Sequence, residues 1–208
     1  MTEERLFAPV DEIDELRSEL ITMAEEDLRV RSELLAEGTL HQGYVPRMEE
    51  VHQRNAARLE EIVERHGWPG RSLVGDVASR AAWLVLQHAI GNPSLQRRGL
   101  EWLRAAAERA DVPEIEPAML EDRIRVFEGR PQRFGTQFDV EQGGKLVPYP
   151  IEDEAHVDER RARVGLEPMA ELERENTARA TEEGPGSFSD EDWARRERED
   201  WLRKVGWR

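Results

Sequence analysis

The chain has 208 residues, 45 of them acidic and 30 basic, and a formal net charge of -15. Such a charge would repel a phosphate backbone or an anionic lipid surface, which argues against nucleic-acid and membrane binding. Since there is no cysteine, the composition excludes disulfides, iron-sulfur ligation and thiolate catalysis, and any transition metal would have to be held by histidine and carboxylate ligands.

The first residues, MTEERLFAPVDEIDEL, are acidic and lack the apolar stretch of a secretory signal. No run of residues approaches the roughly 18 apolar positions of a membrane span. We therefore expect a cytoplasmic protein.

Apolar residues recur at helical spacing through the first two thirds of the chain. The pattern predicts a long first helix from about Val10 to Glu37, which Gly38 can end. Proline, glycine and asparagine punctuation separates four further helices. They are predicted at about 46–66, 75–90, 93–110 and 116–128.

The helical residue pattern ends after the fifth helix. There RPQRFGTQFDV and KLVPYP flank EQGG and predict a small β-hairpin at about 132–151. Asp153 is predicted to cap a short helix, and Pro168 to open another that ends near 178. A polar linker at 179–189 and a charged amphipathic tail helix at 190–208 follow. The predicted fold is mainly α: a compact multi-helix domain over 1–178 with one small hairpin and a C-terminal helical tail.

Several polar side chains fall on the apolar faces when each predicted helix is projected at about 100° per residue. These residues are Asp27, Arg31, His52, Asn55, His66, His88 and Arg123, with Asp122 at the edge of its face. Asp27 and Arg31 are four residues apart and could pair with each other. His88 lies near the centre of its apolar face, whereas Gln87 falls on the polar side of the same helix.

Buried charges are costly unless they are paired, so these residues must meet partners or surround a solvated cavity. A structural network that fixes the register of the helices explains them as well as a ligand site does. An enzyme site would use His88 as general acid or base, with Asp27 or Asp122 as its orienting carboxylate. Arg31 and Arg123 would then bind an anionic group of a small molecule or a peptide carboxylate.

Two alternatives remain open at this point. Asp27, His52 and His88 form a two-histidine, one-carboxylate set that suits iron or another transition metal. The protein could instead be a non-catalytic ligand-binding or interaction module, whose tail docks on its own domain, a second subunit or a partner. The sequence contains no glycine-rich phosphate loop, so it gives no sign of a nucleotide cofactor.

Four segments carry a resemblance to a known family. They are GWPGRSLVG (67–75), AAWLVLQHA (81–89), LEDRIRVFEGRPQRFGTQF (120–138) and PIEDEAHVDERRARVGLEPMAEL (150–172). Over about 15–175 the chain resembles a family of uncharacterised bacterial proteins marked by Gly-Trp-Pro, Gln-His, Asp-Arg-Ile or -Val and Tyr-Gly-Thr-Gln segments. The resemblance implies no activity, but it groups as one constellation Gln87, His88, Asp122, Arg123, Gln132, Thr136 and Gln137. The three hairpin members of this set would either contact a ligand or dock the hairpin on the helices.

Two positions depart from the family pattern. Phe134 stands where the family usually has tyrosine, which removes a hydroxyl group. His52 stands where an acidic residue or asparagine is usual, so a metal role for His52 would not extend to the whole family.

Overall fold

The computed structural model describes residues 10–40, 44–140, 146–174 and 191–208, and confirms the mainly α fold with one hairpin. The predicted linker at 179–189 lies outside the described residues. The helices are α1 (Val10–Ala36), α2 (Pro46–His66), α3 (Arg71–His88), α4 (Pro93–Glu108), α5 (Ile115–Phe127), α6 (Val157–Arg163) and a C-terminal helix (Glu191–Val205). The strands are β1 (Phe138–Val140) and β2 (Leu146–Pro148). Residues 169–174 are also helical, and Glu154–His156 form a 3-10 turn.

The core lies between α1, α2 and α3 and continues between α3, α4 and α5. α1 runs along α3, because its buried residues recur every three or four positions from Leu16 to Leu34 and form one stripe. α2 packs against both α1 and α3. Asp27 belongs to the buried stripe of α1, so it is enclosed where the three helices meet.

The helical segment α3 begins at Arg71, four residues before the predicted start at about Gly75. Gly75 has a φ of 78° and a ψ of 169°, so the uninterrupted helix starts only after it, close to the predicted start, and Arg71 opens an additional turn before it. The additional turn is held by Asp111, whose carbonyl oxygen accepts a hydrogen bond from Arg71 N at 3.0 Å and whose carboxylate accepts one from Ser72 N at 2.7 Å. A cap supplied from 40 residues away leaves no trace in local periodicity.

The hairpin is a two-stranded antiparallel sheet in which Phe138 is opposite Pro148 and Val140 is opposite Leu146. The predicted cap that follows it is absent, since Asp153 makes no capping hydrogen bond and has a φ of 47°. Its carboxylate instead contacts Nδ1 of His156 at 2.9 Å, and α6 begins only after the 3-10 turn.

The C-terminal helix packs on the helical domain of its own chain. Leu202 is completely buried in the main core, and Trp207 is almost completely buried beside it. Trp207 Nε1 also donates a hydrogen bond to the carbonyl oxygen of Ile90 at 2.8 Å. Within the described ranges, no helix combines the length and apolar character that a bilayer crossing requires.

Glu116, in the first turn of α5, is a buried carboxyl group that the apolar pattern did not indicate. Its Oε2 atom has no hydrogen-bond partner among the described residues. Burial raises the pKa of Glu116 from the ordinary 4.5 to about 7, while the positive charges of Arg71 and Arg80 oppose that rise. This side chain therefore couples the stability of the fold to pH.

Candidate functional site

Asp27 is the centre of a histidine and carboxylate cluster between α1, α2 and α3. Its side chain is 1% exposed. Both carboxylate oxygens lie 2.9 Å from Nδ1 of His88, and Oδ2 lies 3.0 Å from Nε2 of His52. The two imidazole rings are 5.3 Å apart between centroids. One carboxylate from α1 thus contacts one histidine from each neighbouring helix.

The two nitrogens of His52 have different surroundings. Nδ1 lies 2.7 Å from the hydroxyl group of Tyr44, and the two rings are stacked with centroids 5.6 Å apart. Nε2 is buried close to Asp27, yet it makes no hydrogen bond of acceptable direction within the described part of the chain. A buried nitrogen of this kind lacks the partner that an imidazole normally has.

His88 presents its two nitrogens to different sides as well. Nδ1 contacts Asp27, whereas Nε2 has no hydrogen-bond partner among the residues that the structure describes. The side chain remains 24% exposed and lines a cavity. His88 therefore combines an orienting carboxylate on one nitrogen with a second nitrogen that has no hydrogen-bond partner among the described residues.

The charges of the cluster follow from burial and from these contacts. Burial opposes ionisation of Asp27, but the hydrogen bonds from His88 and the close contact with His52 outweigh it and lower the pKa of Asp27 to about 2. Burial lowers the pKa of His88, and Arg123 adds to this effect while Asp27 opposes it. The cluster is thus built around an anionic carboxylate.

A cavity of about 170 Å³ adjoins the cluster. Its wall is largely apolar, with the polar groups gathered at Asp27, Tyr44, His52 and His88 and with Arg31 as the cation. The remaining lining residues are Leu40, Val45, Met48 and Ile90. A few polar groups in an apolar hollow are typical of small-ligand sites, and this volume suits a ligand of only a few heavy atoms.

The structure brings Asp27, His52 and His88 together but changes the position of both predicted arginines. Arg31 is exposed at the cavity wall and does not pair with Asp27, because its long side chain extends from the edge of the helix face to solvent. Arg123 is half-buried and donates a hydrogen bond to the carbonyl oxygen of Gln87. No carboxylate among the described residues pairs with Arg123.

The surroundings of Gln87 and Asn55 also differ from those expected of residues that only bind a ligand. Gln87, predicted on a polar face, is 3% exposed, because α3 is covered by α1 on one side and by α4 on another. Both polar atoms of its amide are without partners in the described residues. Asn55 donates a hydrogen bond to the carbonyl oxygen of Met23 at 3.0 Å and so ties α2 to α1.

Asp122 is not the carboxylate that orients His88, which is a correction to one of the two predicted assignments. It is fully buried and accepts hydrogen bonds from the backbone of Arg133, Phe134 and Thr136 and from the Thr136 hydroxyl group. Burial raises the pKa of Asp122, and these four donors oppose the rise. Asp122 thus organises the segment that precedes β1.

Gln132 and Gln137 belong to the same segment. The amide nitrogen of Gln132 donates to the carbonyl oxygens of Gln137 and Tyr149, and its Oε1 accepts a hydrogen bond from Gln137 N. The Gln137 amide contacts the Thr136 hydroxyl group at 3.2 Å. The side chains of Gln132 and Gln137 thus bind neighbouring parts of the hairpin segment to one another, and Thr136 joins this segment to α5 through Asp122.

Tyr44 is the cluster residue that the sequence did not reveal. It lies two residues before α2, outside any periodic segment. Its contact with His52 depends on how the chain enters the helix, so residue spacing carries no signal for it.

Residues 14–179 match the model of a protein family, DUF6624, which is described as a family of unknown function. The chain belongs to the DUF6624 family. The expected resemblance to an uncharacterised family is thereby confirmed, and the DUF6624 segment contains Asp27, Tyr44, His52 and His88 but not the C-terminal helix. No curated protein and no solved structure matches the chain.

Proposed function

We propose that this DUF6624 protein is a metal-dependent enzyme in which Asp27, His52 and His88 bind one divalent transition-metal ion. The observation that carries the proposal is the convergence of one potential ligand atom from each residue within 4.8 Å of the other two. Asp27 and His52 are buried and His88 is half-buried, so the convergence is not a chance meeting of flexible surface groups. Cysteine-free sites of this composition suit iron, zinc or cobalt.

The separations within the cluster support the proposal. Ligand atoms that lie about 2.0–2.2 Å from one ion, at right angles to one another, are about 3 Å apart. The carboxylate of Asp27 lies 2.9 Å from His88 Nδ1 and 3.0 Å from His52 Nε2. Two of the three separations therefore match those of ligands around one ion, and the two histidine nitrogens lie within 4.8 Å of each other.

The unpartnered Nε2 of His52 supports it further. A ring nitrogen that is buried without a hydrogen bond is unfavourable, and metal coordination would remove that cost. Metal-ligating histidines usually hydrogen-bond through their other nitrogen, and Tyr44 supplies such a partner at 2.7 Å.

The adjoining cavity supports a small anionic substrate. A bound ion would act as a Lewis acid toward a group in the cavity, because two histidines and one carboxylate leave coordination positions open. Arg31 at the cavity wall would attract the negative charge of such a molecule, while the apolar lining would contact its body.

Metal titration of protein purified without a polyhistidine tag tests the proposal. We expect one Co²⁺ or Zn²⁺ per chain, and more than about 100-fold weaker binding in His52→Gln and His88→Gln, since loss of an outer-shell partner alone costs about 10–100-fold. Asp27→Asn should weaken binding at least as much. His156→Gln is the matched control, because His156 also contacts an aspartate at 2.9 Å but on the surface.

The metal proposal fails if the parent protein takes up no stoichiometric metal after reconstitution, or if the ligand variants bind as the parent does. Circular dichroism of each variant would establish that the helical fold is retained.

A second candidate is metal-free acid-base catalysis by His88, which the Asp27 contact at Nδ1, the unpartnered Nε2 and the position of His88 at the cavity wall favour. In this case diethyl pyrocarbonate should acylate His88 in the metal-free protein, and Asp27→Asn should slow that reaction several-fold by removing the orienting carboxylate. Mass spectrometry of the His88 peptide measures the rate, with His156 as internal reference. An unchanged rate in Asp27→Asn would contradict the assignment.

A further inference from the structure

We infer that the C-terminal helix completes this site, with Trp201 holding Tyr44 against His52, so that Tyr44 and Trp201 are positioning residues for a metal ligand. Metal binding as a test of this inference rests on the proposed function. The positioning of His52 by Tyr44 and Trp201 can also be tested in the metal-free protein.

The first step is the contact between Tyr44 and His52. The hydroxyl group lies 2.7 Å from Nδ1, and the planes of the two rings are 29° apart at a centroid distance of 5.6 Å. A hydrogen bond at Nδ1 sets the proton position and the orientation of the ring, and both decide whether Nε2 can serve as a ligand.

The second step is the contact between Tyr44 and Trp201. Their centroids are 5.2 Å apart at 72°, the edge-to-face arrangement that aromatic pairs prefer. Because Tyr44 precedes α2, no helical hydrogen bonding of its own element restrains its ring. Packing against Trp201, in addition to the small apolar cluster of α1 and α2 that includes Met48, supplies that restraint.

The third step is the anchoring of Trp201. Its ring packs edge-to-face on Phe127 of α5, with the two centroids 6.4 Å apart. The adjacent Leu202 is completely buried in the main core. Further along, Trp207 donates a hydrogen bond to the carbonyl oxygen of Ile90, a cavity-lining residue. The C-terminal helix and the residues after it therefore contact the cavity wall at Tyr44 and at Ile90.

The location of this support is informative, because the family match ends at residue 179 and the C-terminal helix begins at Glu191. The proposed metal-ligand set lies inside the matched segment, whereas the aromatic contact of Trp201 with Tyr44 comes from outside it. The tail thus acts as part of the site and not only as a cover for the core.

Cobalt binding and its visible absorption spectrum test the inference. We expect Tyr44→Phe and Trp201→Ala to weaken Co²⁺ binding by about 10–100-fold and to change the Co²⁺ spectrum, as the loss of an outer-shell contact does. Trp201→Phe keeps an aromatic edge and should restore both. Trp102→Ala is the matched control, because Trp102 is also half-buried against the main core but contacts Arg98 of α4 and not the cluster.

The inference is overturned if Trp201→Ala binds Co²⁺ with the affinity and spectrum of the parent, or if Trp102→Ala impairs binding equally. Nitrogen-15 spectra of the metal-free imidazoles provide the separate readout. Tyr44→Phe and Trp201→Ala should alter the tautomer populations of His52 in the same direction, and Trp102→Ala should leave them unchanged. If the parent binds no metal, the proposed function fails and this spectrum alone decides the positioning; unchanged His52 populations would refute it.

Discussion

Replacement of Asp122 by asparagine should lower the free energy of unfolding by about 3–5 kcal/mol, the usual cost of disrupting a buried, charged hydrogen-bond network. The carboxylate accepts four hydrogen bonds from Arg133, Phe134 and Thr136 with both of its oxygens. Asparagine keeps one acceptor oxygen, and its NH₂ group would face N-H and O-H donors. Burial prevents water from compensating for the loss.

Urea unfolding followed by circular dichroism measures this effect. Asp76→Asn is a suitable control, because the Asp76 side chain is 84% exposed and its contact with Arg71 is 3.8 Å long, so its stability change should stay within about 0.5 kcal/mol. Hydrogen exchange at the amides of Phe134 and Thr136 should accelerate in Asp122→Asn. A change below about 1 kcal/mol would show that the network contributes less than a buried charged group normally does.

Glu116 should make the protein less stable as pH rises. Its pKa is about 7 in the fold against an ordinary 4.5, so the folded protein retains a proton that the unfolded chain releases. The contribution of this proton is fully present below pH 4.5 and is lost as pH rises through 7. At about 1.4 kcal/mol per pKa unit, the loss amounts to about 3 kcal/mol.

Glu116→Gln replaces the protonated carboxyl group by a neutral amide of the same size and should remove this dependence. Unfolding free energies of parent and variant, measured from pH 4.5 to pH 8, should diverge with increasing pH in favour of the variant. Glu114→Gln, two residues earlier and exposed, should follow the parent curve. Parallel curves for parent and Glu116→Gln would contradict the prediction.

The helical scaffold could be predicted wherever local physical chemistry determines it. Apolar spacing and flanking proline or glycine place α2 at its observed limits, Pro46 and His66. The same periodicity placed Asp27, His52 and His88 on inward faces, and helices packed side by side then bring such faces together.

Other features depend on contacts between segments that are distant in sequence. Arg31 shares the projected face of Asp27, but a guanidinium group at the edge of a face can reach solvent. Asp122 accepts its hydrogen bonds from a segment that begins 11 residues later, and three of its four donors are backbone N–H groups that any sequence would carry. Tyr44 reaches His52 because of the path of the chain just before α2, and its ring packs against Trp201 near the C-terminus.

The meeting of three helices at Asp27 links occupancy of the cluster to the integrity of the fold. His88 is 61 positions away from Asp27, so the ligand set exists only once distant segments have assembled. An ion held there would act as a crosslink that the unfolded chain lacks, and its binding energy would count as folding energy. At a free concentration of about 100 times the dissociation constant it would add about 2.7 kcal/mol to the unfolding free energy. The midpoint of thermal unfolding would then rise with the concentration of free metal ion, because folding and metal binding would be coupled equilibria.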